Sequence, residues 1–68
     1  MQISARNQLK GTVTSVTAGN VMAEVVVDVG GQEIVAAITR ASAESLNLTP
    51  GDDVTVIIKA TEVMVAKE

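Results

Sequence analysis

The chain contains no cysteine, no histidine and no aromatic residue, and it is only 68 residues long. Without cysteine or histidine there is no disulfide framework, no conventional zinc site, no thiol nucleophile and no imidazole base. Without aromatic rings the chain lacks the stacking surfaces that hold single-stranded nucleic acid. Its 5 basic and 8 acidic residues give a net charge of −3, which also argues against a nucleic-acid partner.

Long hydrophobic runs are missing as well. No stretch of 18 apolar residues is present, and no apolar signal-peptide core follows Met1. We therefore expect a soluble, cytoplasmic protein without a membrane partner. The length allows a single domain, residues 1–68.

The apolar residues, 47% of the chain, are all aliphatic or methionine. A core built from so short a chain supplies roughly 3–5 kcal/mol, so small domains usually need disulfides, a metal or association with other chains. Because disulfides are impossible without cysteine and a zinc site would lack its usual ligands, self-association is the expected source of additional stability.

Turn-forming residues divide the chain at Ala18-Gly19-Asn20, Gly30-Gly31 and Thr49-Pro50-Gly51-Asp52. The β-branched runs between these turns predict strands, and Ala41–Leu46 predicts one short helix. The predicted strands are Leu9–Thr17, Val21–Val29, Gln32–Thr39, Asp53–Lys59 and Glu62–Ala66. This order predicts a mainly β fold, a small five-stranded OB-like barrel with one short helix between strands 3 and 4.

Alternation along the strands separates an apolar face from a mixed face. The residues expected to fill the barrel are Val21, Val25, Val27, Ile34, Ile38, Val54, Val56 and Ile58. The mixed face carries Val26, Val35, Ala37 and Ile57 among polar neighbours. A one-sided core would leave that face polar, so we expect a second copy of the chain to cover it.

The sequence offers little for catalysis. It has no phosphate-binding glycine loop and no serine-hydrolase motif. Asp52-Asp53 could form a carboxylate pair, but directly after Pro50-Gly51 these residues are better interpreted as part of a turn. We predict that the protein is not an enzyme.

Three segments carry groups suited to a tetrahedral dianion, which needs convergent N–H and O–H donors and a nearby positive charge. They are Ser4-Ala5-Arg6-Asn7, Thr39-Arg40-Ala41-Ser42 and Lys59-Ala60-Thr61. Because Thr39 and Lys59 lie on the mixed face, the pattern favours a site that association completes.

Each donor also has a purely structural alternative. Thr39 or Ser42 could be only the helix N-cap, and Lys59 only a solvated strand end. Arg6 could pair with a carboxylate across a contact between subunits.

The segment Ser4-Ala5-Arg6-Asn7-Gln8-Leu9-Lys10-Gly11 resembles the opening motif of the molbindins, small cytoplasmic molybdate-binding proteins. The same unit occurs as a transport-associated OB domain in molybdate-responsive regulators and molybdate transport ATPases. The similarity extends over essentially the whole chain. It continues through Val21-Met22-Ala23-Glu24-Val25, Ala37-Ile38-Thr39, Leu48-Thr49-Pro50-Gly51-Asp52 and Ile58-Lys59-Ala60-Thr61-Glu62-Val63-Met64.

The resemblance implies a homo-oligomer, a hexamer built as a trimer of dimers, that stores molybdate or tungstate between its subunits. The oxyanion is the ligand, so no side chain coordinates the metal directly and no organic cofactor is expected. Residues matched by position to one oxyanion site are Ser4, Ala5, Arg6, Thr39, Ser42, Lys59 and Ala60. A second site, where three subunits meet, is matched to Gly19, Asn20 and Val21.

Two other functions stay open. The first is an oligomerisation or regulatory module without a storage role, and the second is a nucleic-acid-binding OB domain, which the absent aromatics and the negative charge disfavour. A molybdopterin-binding role has also been attached to the family. It ranks below the bare oxyanion because no aromatic side chain is available to pack against a pterin.

Overall fold

A computed structural model describes all 68 residues. The strands are β1 (Asn7–Ala18), β2 (Met22–Val29), β3 (Gln32–Thr39) and β4 (Asp53–Ile58), with helix α1 (Arg40–Ser45) before β4 and a 3₁₀ turn at Ala60–Glu62. They form one antiparallel sheet in the order β3-β2-β1-β4. The mainly β, OB-like architecture is confirmed, with four strands instead of five.

The predicted fifth strand, Glu62–Ala66, is wrong for the single chain. Glu62 ends the 3₁₀ turn, and the residues after it form no strand. A strand exists only where a neighbouring strand receives its backbone hydrogen bonds, and the residues after Glu62 pair with no strand of this chain. Composition alone predicted the strand, whereas pairing decides whether it forms.

The 12-residue strand β1 holds the sheet together by pairing with two neighbours. Its first half pairs with β4, from Asn7 opposite Ile58 to Thr12 opposite Asp53. Its second half pairs with β2 through a register shift between Val13 and Ser15. Such a bulge increases the local bend and twist of a strand, which suits one strand that serves two partners.

Gly11 lies where β1 passes from one neighbour to the other. A Cβ atom at this position would lie 2.5 Å from the Asp28 carbonyl oxygen and 2.7 Å from Cγ1 of Val27. Because a backbone oxygen cannot retreat as a side chain can, only glycine permits this close approach of β1 to β2.

The predicted turns form as the sequence indicates. Gly30 and Gly31 both have positive φ, at 59° and 88°, and make the two-residue hairpin between β2 and β3. The Thr49 N–H donates to Oδ2 of Asp52 at 2.9 Å, and the Thr49 hydroxyl donates to Oδ1 at 3.3 Å. The interpretation of Asp52 as a turn residue is confirmed.

The short helix ends in a Schellman motif. Asn47 has a φ of 51°, its N–H donates to Glu44 O at 2.9 Å, and the Leu48 N–H donates to Ala43 O at 3.1 Å. This stop brings Leu48 back against the core cluster that includes Val13. The helix thereby covers one end of the apolar face of the sheet.

The core is small. Only Val13, Ala23, Val25, Val27 and Ala43 are fully buried. One predicted interior residue is wrong, since Val21 is 71% exposed in the turn before β2 begins. An apolar cleft of about 220 Å³ stays open between β3 and β4. On the opposite face Val35 is 61% exposed and Ile57 is 38% exposed.

We expect Gly11→Ala to destabilise the fold by about 1–3 kcal/mol, because the added methyl group must displace backbone as well as side chain. Chemical denaturation at fixed protein concentration measures the change. Thr12→Ala, at the exposed neighbouring position of β1, is the matched control. Equal stability of the two variants would contradict the close approach of β1 and β2.

Candidate functional site

The opening segment, residues 4–6 before β1, and the segment after β4, residues 59–61, leave the same end of the sheet. Asn7 is paired with Ile58, and its side-chain Nδ2 donates to the Ile58 carbonyl at 3.1 Å. Because β1 and β4 are antiparallel, residues 4–6 and residues 59–61 both leave the sheet next to this pair. We call this the β1/β4 end, and it contains Ser4, Ala5, Arg6, Lys59 and Ala60.

The β1/β4 end is rich in free donors. The backbone N–H groups of Ala5, Arg6, Ala60 and Thr61 donate to no acceptor within the chain. Neither Arg6 nor Lys59 takes part in an ion pair, since the one salt bridge of the chain lies elsewhere. Cations and unpaired amides at one exposed place make a surface suited to an anion.

Gln8 shapes this surface, a role that composition did not suggest. Its Nε2 donates to the Ala5 carbonyl at 2.7 Å. This bond occupies the Ala5 carbonyl, whereas the backbone N–H groups of Ala5 and Arg6 stay free. The sequence signal that could have identified Gln8 is a polar residue at the second position of β1.

Thr39 and Ser42 form a second group at the start of α1. The Ser42 N–H donates to Oγ1 of Thr39 at 3.0 Å, so Thr39 is the helix N-cap. The Thr39 hydroxyl in turn donates to Oγ of Ser42 at 2.8 Å. This arrangement leaves the Ser42 hydroxyl proton available to an outside acceptor.

Arg40 joins α1 to the turn that carries the second predicted site. Its backbone N–H donates to Val21 O at 2.8 Å, and its Nη1 donates to Gly19 O at 3.3 Å. Its Nε also forms an ion pair with Glu44 at 2.8 Å. A cleft of about 450 Å³ is lined by Arg40, Val21 and Glu44 together with Asn20. The i, i+4 spacing of Arg40 and Glu44 was the available sequence signal.

The two groups lie at opposite ends of the sheet. β1 begins and β4 ends at the β1/β4 end, whereas β3 ends at Thr39, beside Met22 at the start of β2. They also lie on opposite edge strands, because β3 and β4 are the two outer strands. We call the far group, Gly19–Val21 with Thr39 and Ser42, the β3/α1 end. One chain therefore does not bring the seven residues of the first predicted site together.

The acidic residues are dispersed. Nowhere do three carboxylates come together as the ligands of a metal ion would. No helix of the chain has the length and apolar character needed to cross a membrane. The chemistry that the two ends present is therefore hydrogen-bond donation and positive charge.

Comparison with known proteins places this geometry in a family. A family model described as the TOBE domain matches residues 3–65. A probable molybdenum-pterin-binding protein of Haemophilus influenzae is 48% identical over 69 residues, covering all of both chains. Molybdenum-pterin-binding protein 3 of Clostridium pasteurianum is 47% identical over 66 residues, or 96% of this chain and 97% of the relative.

Solved structures agree with this result. The molybdate-binding protein of Sporomusa ovata superimposes with a TM-score of 0.94 and 52% identity, covering 98% of this chain and all of the other. The cytoplasmic molybdate-binding protein ModG, crystallised with molybdate bound, matches with a TM-score of 0.84 and 46% identity over 88% of this chain and 43% of its own. Because the family model covers nearly the whole chain and the relatives align end to end, the protein belongs to the TOBE-domain family.

Proposed function

We propose that the protein binds molybdate or tungstate between its subunits and stores it in the cytoplasm without chemical turnover. The observation that carries the proposal is the β1/β4 end, where cations and free amides meet without an ion-paired carboxylate. The relatives that are named for binding molybdate or molybdenum-pterin match this chain over nearly its full length.

In the first site, Lys59 supplies positive charge to the dianion, and the backbone amides of Ala5, Arg6 and Ala60 donate hydrogen bonds. Ser4 and Ser42 supply hydroxyl donors, and Thr39 orients the Ser42 hydroxyl. Since the two donor groups lie at opposite ends of one chain, the β1/β4 end of one copy meets the β3/α1 end of another.

The second site consists of Gly19, Asn20 and Val21, in which Asn20 and Val21 supply backbone amides and Gly19 fixes the turn, since its own N–H donates to Met22 O at 2.7 Å. Arg40 supports it by holding the turn through the carbonyls of Gly19 and Val21. Because these carbonyls are occupied, the turn can present the amides of Asn20 and Val21 to an anion where three subunits meet.

Assembly is part of the proposed function, as a homo-hexamer built from three dimers. A chain with five buried residues leaves many of its aliphatic side chains exposed to water. Covering about 400 Å² of that surface per chain contributes on the order of 10 kcal/mol at roughly 25 cal/mol per Å², before association costs. This exceeds the roughly 3–5 kcal/mol expected from the core of so small a chain.

The metal content of the purified protein distinguishes a molybdate-storing protein from a module that only oligomerises. Elemental analysis of the purified oligomer should find molybdenum or tungsten, and a titration against molybdate, tungstate and sulfate should show binding of the first two. An oligomer that takes up none of these anions would be an oligomerisation module.

We expect Lys59→Ala to weaken molybdate binding about tenfold to a hundredfold, as for loss of one charged hydrogen bond. Isothermal titration calorimetry measures the affinity, and light scattering checks that the oligomer persists. Lys10→Ala removes an exposed lysine from the middle of β1 and is the matched control. Unchanged affinity and stoichiometry in Lys59→Ala would contradict the assigned site.

We expect Ser42→Ala to weaken molybdate binding about fivefold to tenfold while the helix stays capped, because the Thr39 oxygen still accepts the backbone N–H of residue 42. Ser45→Ala, at an exposed position of the same helix, is the control. Calorimetry and circular dichroism report binding and folding separately. If Ser42→Ala binds normally, the hydroxyl serves only the helix cap.

We expect Ile57→Lys to yield unfolded or aggregated protein without oxyanion binding, because it places a charge on the apolar outer face that association is proposed to cover. Thr55→Lys, a change at an already polar position on the same face of β4, is the control. Mass measurement and calorimetry follow the two variants. A folded, molybdate-binding monomer of 7.0 kDa from Ile57→Lys would contradict both the interface and the intersubunit site.

A further inference from the structure

Arg40 and Glu44 form the only ion pair of the chain, and the pair lies beside the turn of the second proposed site. The Nε of Arg40 donates to Oε1 of Glu44 at 2.8 Å, and its Nη1 donates to the Gly19 carbonyl at 3.3 Å. The two paired side chains are 47% and 64% exposed. An ion pair so open to water adds little to the stability of a fold, so stability alone does not account for a guanidinium shared between a carboxylate and a turn.

The bond to Gly19 determines where a neighbouring amide points. No peptide bond of the chain is cis, and in a trans peptide the carbonyl and the following N–H point in opposite directions. The Gly19 carbonyl accepts no backbone N–H, so Arg40 is its one partner in the chain. Because Arg40 holds that carbonyl toward α1, the N–H of Asn20 points away from the helix, where it donates to no acceptor of the chain.

The same pair sets the charge of the cleft. Arg40 and Glu44 are the charged residues among those that line it, and their charges cancel. The β1/β4 end differs, since Arg6 and Lys59 take part in no ion pair. A dianion at the second site therefore meets oriented amides without a net positive charge, whereas a dianion at the first site meets uncompensated cations.

We propose that Arg40 and Glu44 control how tightly the second site holds its oxyanion, an inference that rests on the proposed function. Arg40 is a positioning residue, which orients the Asn20 amide without contacting the anion. Glu44 limits the affinity, because its carboxylate cancels the nearest positive charge and repels the dianion. Removal of the carboxylate should therefore strengthen the site, whereas removal of the guanidinium should weaken it.

Two variants with opposite expected effects test these roles. Glu44→Gln keeps an oxygen that accepts from Nε of Arg40 but removes the negative charge, so we expect the second site to bind tungstate about tenfold more tightly. Arg40→Met keeps the length of the side chain, and its backbone N–H still donates to Val21 O, but the Gly19 carbonyl loses its donor. We expect about tenfold weaker tungstate binding at the second site in that variant.

The tungsten anomalous signal, measured in crystals equilibrated with graded tungstate concentrations, reports the occupancy of each site separately. The matched controls for the loss of one charge are Glu33→Gln, at the opposite end of β3, and Lys10→Met, in the middle of β1. Both controls should leave the second site unchanged, and all four variants should leave the first site unchanged. The gain in Glu44→Gln should shrink as the ionic strength is raised.

A double variant separates positioning from charge. Arg40→Met/Glu44→Gln leaves the cleft with the net charge of the unmodified protein but without the donor to Gly19. We expect it to bind tungstate at the second site more weakly than the unmodified protein does. Binding of equal strength would show that Arg40 acts through its charge alone and would overturn the positioning role. If both single variants bind more weakly, or neither changes, the ion pair is only a structural contact.

The orientation of the Asn20 amide is measured without any anion. In the ligand-free protein, the amide resonance of Asn20 in a nuclear magnetic resonance spectrum should move in Arg40→Met and stay in place in Lys10→Met. An unmoved resonance would overturn the positioning role, whatever the protein binds. Tungsten at the first site but never beside Asn20 would overturn the inference and leave storage at the first site standing. Tungsten at no site would refute the proposed function itself, and the inference with it.

Discussion

The pairing of β1 with two neighbours is the constraint on which the rest of the structure depends. Its first half forms a ladder with β4 and its second half with β2. The change of partner requires the backbone of β1 to pass within contact distance of the Asp28 carbonyl, which Gly11 permits. This arrangement sets the opening segment beside the residues after β4. Without it, the cations and free amides of the β1/β4 end would not share one surface.

The second consequence is an unfinished barrel. Four strands and one short helix bury five residues and leave an apolar cleft between β3 and β4. A chain of this length has too little surface to close around a larger core. In the proposed assembly, a second copy covers the cleft and brings the two separated donor groups together. Stability and ligand binding are thus expected to depend on the same contact.

Much of the fold could be predicted from local chemistry. The Gly30-Gly31 hairpin could be predicted because glycine readily adopts the positive φ that both turn positions have. The turn role of Asp52 could be predicted from its position directly after Pro50-Gly51. The inward and outward faces of β2, β3 and β4 follow from period-two alternation. The prediction of a fifth strand is wrong for the single chain because a strand forms only where it pairs with a neighbour, and the residues after Glu62 pair with none. Val21 is predicted in the barrel interior because it continues the alternation of inward residues in β2, but the strand begins only at Met22.

For the site, the sequence by itself determined the chemistry of the donors. Hydroxyls, amides and cations in short segments indicate a surface suited to an anion. Only the tertiary structure decided their distribution. It places Ser4–Arg6 and Lys59 at the same end of the sheet, uses Thr39 as a helix cap, and holds Ser42 and Arg40 at the far end. The physical reason is that backbone pairing between distant segments sets the position of each donor, and no local pattern encodes that pairing.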